Sequence, residues 1–287
     1  MRTRHFDGPI PNRWLSRLAY PGLCDHLLTS SPKVTEDLRA CFHLPDERVS
    51  TVPTGVDLDR FSPAGPIAAL VPAAQSKNIP LIGMVTVIRQ AKGCQTLVAA
   101  ARRLLAAGVQ AHYVIVGEGP SRAWAEQEVR AAQLEACFTF TGYREDIPAV
   151  LRALSVLAIP LLHEAVPQSG LQALATQTPV IGSNVGGIPE IIRPGETGRL
   201  FPAGDAPALA AVIRETLENR KATRVLSERG RAYVAANHSL DVMLDNLVAA
   251  SKGRGVALGN LLIGEVWVCS GQSNMEWPNY RGPKLQF

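Results

Sequence analysis

The sequence predicts an α/β protein built on a doubly wound parallel sheet. Through residues 79–193, short apolar runs alternate with amphipathic helical stretches. Such alternation is typical of βαβ units, which place helices on both faces of a parallel sheet. Each run is bounded by polar or glycine-containing turns, so the strands should end at one ligand-binding edge. The expected strands are Ile79–Val87, His112–Val116, Phe138–Thr141, Val156–Ile159 and Val180–Ser183.

The composition indicates a globular chain with a real core. It has 287 residues, of which 46% are hydrophobic and 19% charged, so one or two domains are expected. The net charge of +4 comes without a basic stripe interleaved with aromatic residues, so nucleic acid is not an expected partner. The five cysteines are scattered, which favours a reducing compartment. No apolar run reaches the roughly 20 residues that span a bilayer, and we expect a cytoplasmic protein.

A smaller strand–helix–strand unit is predicted before the sheet. Residues 25–30 and 48–53 have the apolar character of short strands, and Ser31 is placed to cap the helix between them. Residues 65–78 are rich in Ala, Pro, Gly and Ser and have no strong period, so they are expected to form an interdomain linker.

The stretch after the fourth strand carries the strongest functional signal. One acid, Glu164, lies in the turn that follows Val156–Ile159. A helix is then expected to start near Gln168 and Ser169 and to carry Gln172 one turn later. The N–H groups at such a helix start favour an anion such as a diphosphate. The alternative is a surface acid and a helix-face amide with no function.

Two cations follow the first strand of the sheet. Arg89 and Lys92 stand directly before a predicted helix, where full positive charges and oriented N–H groups together suit a diphosphate. The alternative is that both are solvated surface cations. The loop after the second strand contains Gly117 and Gly119, whose backbone can approach a ligand or a neighbouring strand closely.

Together these motifs resemble those of family 4 retaining glycosyltransferases with the GT-B fold. The spacing from Glu164 to Gln172, followed by A-x-A-x-x-TPV, resembles the donor-site signature of that family. The segments R-x-x-KG, VGEGP and S-x-VGG-I-PE-I-I match further family motifs. The resemblance implies a Rossmann-like domain that binds a nucleotide-diphosphate sugar.

The resemblance also implies a division of the chain. Residues 1–64 would be the remnant of a truncated N-terminal acceptor domain, and residues 65–78 the linker. Residues 79–237 would be the nucleotide-sugar-binding domain, and residues 238–250 a C-terminal crossover helix. Residues 251–287 do not belong to this plan and are expected to be a foreign tail.

The family assigns roles to the residues at the predicted edge. Lys92 and Arg89 would neutralise the leaving diphosphate, with help from the helix that starts near Gln168. Glu164 would hydrogen-bond hydroxyls of the donor sugar. No Asp-x-Asp signature follows a strand, so no metal and no cofactor are expected; the nucleotide sugar is a substrate.

Further donor contacts follow from the same resemblance. Gln172 replaces a family Glu that holds the ribose hydroxyls, and its neutral amide would form a weaker hydrogen bond than a carboxylate. Tyr143 or Arg144 would meet the nucleotide base, while Asp146 is expected to cap the next helix. His5 stands near the place of a family His that faces the interdomain cleft, or is simply a terminal residue.

The tail resembles a second, unrelated family over fewer than 30 residues, which end at residue 278. Its GQSN segment is similar to the nucleophile block of sialate O-acetylesterase-like carbohydrate esterases, in which the Ser attacks the ester. The late Asp-x-x-His block of that family is missing, so Ser273 lacks an expected general base. We therefore expect Ser273 to be non-catalytic.

The sequence thus predicts a fragment of a retaining, metal-independent glycosyltransferase. It would move a sugar from a nucleotide-diphosphate donor to a glycan or lipid-linked acceptor of the cell envelope. Peripheral association with the inner face of the membrane is part of this expectation. The second hypothesis is a truncated fragment that binds a nucleotide but is inactive, and the third is a carbohydrate esterase that uses Ser273.

Overall fold

The computed structural model describes residues 2–4, 22, 26–162 and 166–251. Its strands form two parallel sheets. The smaller sheet contains β1 (Arg2–Arg4), β2 (Leu27–Thr29) and β3 (Val49–Thr51). The larger sheet contains β4 (Leu81–Val85), β5 (His112–Val116), β6 (Phe138–Gly142), β7 (Val156–Ile159), β8 (Val180–Ser183) and β9 (Arg199–Phe201).

Helices connect these strands and complete the carboxyl-terminal part. They are α1 (Pro32–Phe42), α2 (Pro72–Gln75), α3 (Cys94–Ala106), α4 (Arg122–Ala131), α5 (Ile147–Ala153), α6 (Gln168–Ala175), α7 (Ile188–Ile191), α8 (Ala206–Glu218), α9 (Arg220–Asn237) and α10 (Leu240–Ser251). Single 3-10 turns occur at Asp46–Arg48, Gln90–Lys92 and Glu135–Cys137.

The larger sheet has the strand order β6-β5-β4-β7-β8-β9, which confirms the predicted doubly wound, Rossmann-like architecture. The chain runs from β4 outward to β6 and then returns to the opposite side of β4 as β7. Register pairs Ile82 with Val156 across β4 and β7. The switch in direction therefore opens a crevice between the carboxyl ends of these two central strands.

Alternate residues of the buried strands pack against opposite layers. On one face, Leu157 and Ile159 of β7 join a cluster with Leu171 and Leu174 of α6. On the other face, Ala158 joins the cluster that includes the apolar side of α3. Because both faces are covered, these strands are nearly continuous apolar runs, as the sequence indicated.

The smaller unit confirms the predicted strand–helix–strand order. The Ser31 side chain accepts a hydrogen bond from the Val34 N–H at 3.3 Å and so caps α1. Val34 and Leu38 of α1 are buried in a separate cluster with Leu27 and Val49 of the flanking strands.

The segment 65–78, expected as a linker, contains α2 and several buried residues. Ala68, Leu70 and Ala74 lie in the same cluster as one face of the larger sheet, together with Phe61. Arg152 fastens the preceding turn by donating to the Ser62 carbonyl at 2.7 Å. Small apolar residues without a period can therefore pack as part of a domain core.

The carboxyl-terminal helices α9 and α10 return to the segment around Val56. The Val56 N–H donates to the His238 carbonyl at 2.8 Å, and the Leu240 N–H donates to the Val56 carbonyl at 3.2 Å. Asp205 accepts from the Ala208 N–H at 2.8 Å and so caps α8. The edge strand Arg199–Phe201 was not predicted.

Candidate functional site

A small pocket lies at the switch point between β4 and β7. Its walls come from the residues that end these two strands, from the Lys92 turn and from the start of α6. They are Met84, Val85, Thr86, Lys92, Ala158, Ile159, Pro160, Leu161, Pro167, Gln168 and Ser169. In open α/β sheets, ligands bind in this crevice. The structure therefore brings together three residues that the sequence singled out: Lys92, Gln168 and Ser169.

Lys92 reaches the pocket from a tight turn. The 3-10 turn Gln90–Lys92 ends at Gly93, whose φ of 77° lies in the left-handed region. A β-carbon at Gly93 would lie only 1.8 Å from the carbonyl oxygen of Pro160. The turn therefore packs against the end of β7 through backbone alone, and this contact requires glycine.

The start of α6 forms another part of the pocket wall. Pro167 precedes the helix, and its side chain provides no capping hydrogen bond to the first N–H groups. Ser169 is buried in the first turn, and Gln168 donates from Nε2 to the Gly55 carbonyl at 3.2 Å. A helix start of this kind carries partial positive charge and oriented N–H donors, so it is suited to an anion.

The remaining predicted residues of this region are placed differently. Arg89 is exposed and precedes the 3-10 turn rather than lining the pocket. Gln172 lies one helical turn beyond Gln168 and is half-buried. The key acid Glu164 and the early His5 both lie outside the described residues, as does Ser273 of the tail.

The two loop glycines pack against the backbone that follows β4. A β-carbon at Gly117 would lie 1.9 Å from the Thr86 carbonyl oxygen, and one at Gly119 would lie 2.3 Å from that of Ile88. The Ile88 N–H donates to the Glu118 carbonyl at 2.8 Å. These contacts account for both glycines by close approach of neighbouring loops, which was one of the two expected reasons.

The loop that follows β6, at the same edge of the sheet, holds an exposed aromatic ring beside an ion pair. The Gly117 N–H donates to the Gly142 carbonyl at 2.9 Å, which joins this loop to its neighbour. Tyr143, the next residue, is 60% exposed. Arg144 binds Asp146 in a bidentate manner, with Nε–Oδ1 and Nη2–Oδ2 distances of 2.8 and 2.6 Å.

The expected capping role of Asp146 is wrong. Asp146 occupies the residue before α5, but its side chain makes no capping hydrogen bond. The carboxylate instead accepts from Arg144, and this hydrogen bond lowers the pKa of Asp146 below its ordinary value and raises the pKa of Arg144. A nearby guanidinium competes successfully because charge-assisted bonds are stronger than bonds to a neutral N–H.

Sequence reasoning missed Thr86, which lines the pocket beside Lys92. The predicted strand runs to Val87 and therefore includes Thr86, whereas β4 ends at Val85. Thr86 is only 8% exposed, and its hydroxyl makes a long 3.3 Å hydrogen bond to the Val87 carbonyl. A polar residue at the end of a buried strand was the signal that could have identified it.

The described ranges also bear on metal binding and on membrane spans. Within residues 26–162 and 166–251, no three His, Cys, Asp or Glu side chains are grouped so that they could hold a metal ion. Over those ranges, no helix has the length and apolarity to cross a bilayer.

The sheet order and its pocket define a Rossmann-like α/β domain with an anion-suited crevice at the switch point. The sequence model of the family described as "Glycosyl transferases group 1" matches residues 72–233, more than half of the chain. The chain therefore belongs to the group 1 glycosyl transferases.

Individual relatives agree with this assignment. A 2-deoxystreptamine glucosyltransferase of Streptomyces kanamyceticus is 31% identical over 192 residues, which cover 65% of this chain and 50% of that protein. The chain spans about half the length of the curated relatives it matches.

Solved structures show the same fold. A glycosyltransferase from Rickettsia africae ESF-5 superposes with a TM-score of 0.76 at 22% identity, over 87% of this chain and 69% of that chain. Anabaena Alr3699/HepE, solved in complex with UDP and glucose, superposes with a TM-score of 0.72 at 18% identity, over 83% of this chain and 66% of that chain. At these identities the likeness establishes the fold.

Proposed function

We propose that this chain is the donor-binding part of a retaining, metal-independent glycosyltransferase of family 4. It takes a sugar from a nucleotide-diphosphate sugar, whose diphosphate binds against the residues that line the small pocket between β4 and β7. One observation carries the proposal: Lys92 and the start of α6, with Gln168 and Ser169, line a single pocket at the switch point.

The charges of this pocket fit the chemistry of a leaving diphosphate. Negative charge develops on the phosphate oxygen as the bond to the sugar breaks. Lys92 and the start of α6 line the same pocket, so the ammonium and the helix N–H groups would both stabilise that charge. Charge-assisted hydrogen bonds to phosphate are about twice as strong as neutral ones. Arg89, exposed at the edge of the same turn, would add its charge from outside.

The sugar and the nucleoside are assigned to the residues around this pocket. Glu164, two residues beyond Leu162 in the sequence, would hydrogen-bond the sugar hydroxyls. Gln172 would hold the ribose hydroxyls through its amide. Tyr143, exposed on the loop that follows β6, offers a ring face to the base. Arg144 offers the flat face of a guanidinium that Asp146 already fixes.

The rest of the proposal follows the resemblance. The acceptor is a glycan or a lipid-linked glycan of the cell envelope, and the protein works in the cytoplasm at the inner face of the membrane. His5 would face the cleft between the two domains of such an enzyme. The group 1 family assignment supports glycosyl transfer in general.

Nucleotide binding tests the proposal directly. We expect UDP, GDP or ADP to bind the purified chain in isothermal titration calorimetry. Lys92→Ala should weaken the preferred nucleotide about tenfold to a hundredfold, because a hydrogen bond to a charged group contributes about 1.5–3 kcal/mol. Lys77→Ala is the matched control, since Lys77 is an exposed lysine before β4 at the opposite edge of the sheet.

Two results would contradict the assignment. Equal affinities for Lys92→Ala and Lys77→Ala would remove Lys92 from the diphosphate site. If none of the three nucleotides binds, the proposal of a donor site is wrong. Nucleotide binding without transfer from UDP-glucose, GDP-mannose or ADP-glucose would favour the second hypothesis, a binding-only chain.

A further inference from the structure

The turn that carries Lys92 is fastened to the chain that leaves β7. The Leu162 N–H donates to the Ala91 carbonyl at 2.9 Å. Next to this bond, Gly93 packs directly on the Pro160 carbonyl. Any movement of the chain at residues 160–162 therefore moves the Lys92 turn as well.

The chain of β7 leaves the sheet at this point. The ladder between β7 and β8 ends at the pair Ile159 and Gly182. The next residue of β7's chain, Pro160, has no N–H and cannot donate to a neighbouring strand. Beyond that pair, no backbone hydrogen bond is seen between residues 160–162 and β8, so another contact must hold this segment to β8.

Ser183 supplies that contact. It is the last residue of β8, is completely buried, and donates from Oγ to the Leu161 carbonyl at 2.5 Å. Leu161 is itself a wall residue of the pocket. The side-chain hydroxyl therefore continues the link between β8 and the chain of β7 beyond the last pair of the backbone ladder.

We propose that Ser183 is a positioning residue for the nucleotide pocket. Its hydroxyl holds Leu161, the adjacent Leu162 holds Ala91, and the turn of Lys92 is thereby kept at a fixed distance from the start of α6. The proposal rests on the proposed function for the identity of the ligand only. The mechanical link from β8 to the Lys92 turn stands on hydrogen bonds within the chain.

The chain at the other end of β8 offers a matched control. Thr178, two residues before β8, is 3% exposed and donates from Oγ1 to the Leu151 carbonyl at 2.9 Å. Ser183→Ala and Thr178→Val each delete one buried hydroxyl that bonds a distant carbonyl. The two residues lie at opposite ends of β8. A general loss of stability should therefore affect both variants, whereas a change in the pocket should affect only Ser183→Ala.

Hydrogen–deuterium exchange tests the mechanical link without any ligand. We expect Ser183→Ala to speed exchange at least about threefold in peptides that cover residues 90–93 and 161–162, since these lose their anchor to β8. Thr178→Val should leave those peptides unchanged. Unchanged exchange at residues 90–93 in Ser183→Ala would overturn the proposal.

Calorimetry with the nucleotide that wild type prefers among UDP, GDP and ADP tests the consequence. Ser183→Ala should bind the nucleotide about threefold to tenfold more weakly, because the loss of one hydrogen bond shifts the residues that line the pocket. Thr178→Val should bind it as wild type does. Equal affinities for the two variants would overturn the positioning role. Failure of wild type to bind would refute the proposed function instead, and the exchange result would still decide the link.

Discussion

Gly93→Ala is the sharpest perturbation of the pocket that the structure offers. The φ of 77° is left-handed, which costs an alanine about 1–2 kcal/mol. The new β-carbon would also start 1.8 Å from the Pro160 oxygen, although real contacts of this kind do not fall below 3.0 Å. The turn and the end of β7 must therefore separate by more than 1 Å, and overpacking of this kind adds about 1–3 kcal/mol.

Gly108 separates these two contributions. Its φ of 76° matches that of Gly93, but a β-carbon there would meet nothing within 4 Å. Gly108→Ala should therefore show the backbone cost alone, while Gly93→Ala should show the backbone cost and the clash. Urea unfolding of both variants, followed by circular dichroism, measures the difference in the free energy of unfolding.

Binding provides a second measurement on the same variants. Because the clash displaces the Lys92 turn, Gly93→Ala should bind the preferred nucleotide about tenfold more weakly than wild type, and Gly108→Ala should bind like wild type. If the two variants lose equal stability, the contact between Gly93 and Pro160 is not as the structure describes it. If they also bind equally, the pocket does not depend on that contact.

Two other predictions concern single side chains. Thr86→Val keeps the shape of the residue and should weaken nucleotide binding about threefold to tenfold in calorimetry, with little loss of stability; unchanged affinity would exclude the Thr86 hydroxyl from the site. Burial lowers the pKa of His238 below its ordinary value of 6.5, so the unfolded chain binds the proton more readily. The free energy of unfolding should then fall as the pH drops below about 6.5. In His238→Gln, the urea midpoint should change less between pH 8 and about 5.5 than it does in wild type.

The strands of the larger sheet were the most predictable part of the molecule. His112–Val116, Val156–Ile159 and Val180–Ser183 have the predicted bounds, because a strand buried on both faces must be apolar throughout and its polar flanks mark both ends. β9 escaped prediction because its three residues begin with Arg199 and follow a glycine, a pattern that favours a turn.

The edge of the site was less predictable than the sheet beneath it. Lys92 and Arg89 are three residues apart and equally charged, yet only Lys92 lines the pocket. The difference comes from the 3-10 turn between them, whose direction is decided by the contact of Gly93 with a strand nearly 70 residues away. Local sequence does not contain that contact. The cap predicted for Asp146 is wrong for a different reason: Arg144, only two residues away, binds the carboxylate in place of the helix start.

The glycine motif of the second loop and the pocket belong to one mechanical unit. Gly117 packs on the Thr86 carbonyl, and Thr86 in turn lines the pocket. The Thr86 N–H also donates to the Val116 carbonyl at 3.0 Å, so contacts to both of its backbone polar groups fix the place of Thr86. A side chain at Gly117 would therefore act on a ligand by displacing Thr86, without touching the ligand itself. Motif glycines at a strand edge can thus belong to a binding site through the backbone that they allow to approach.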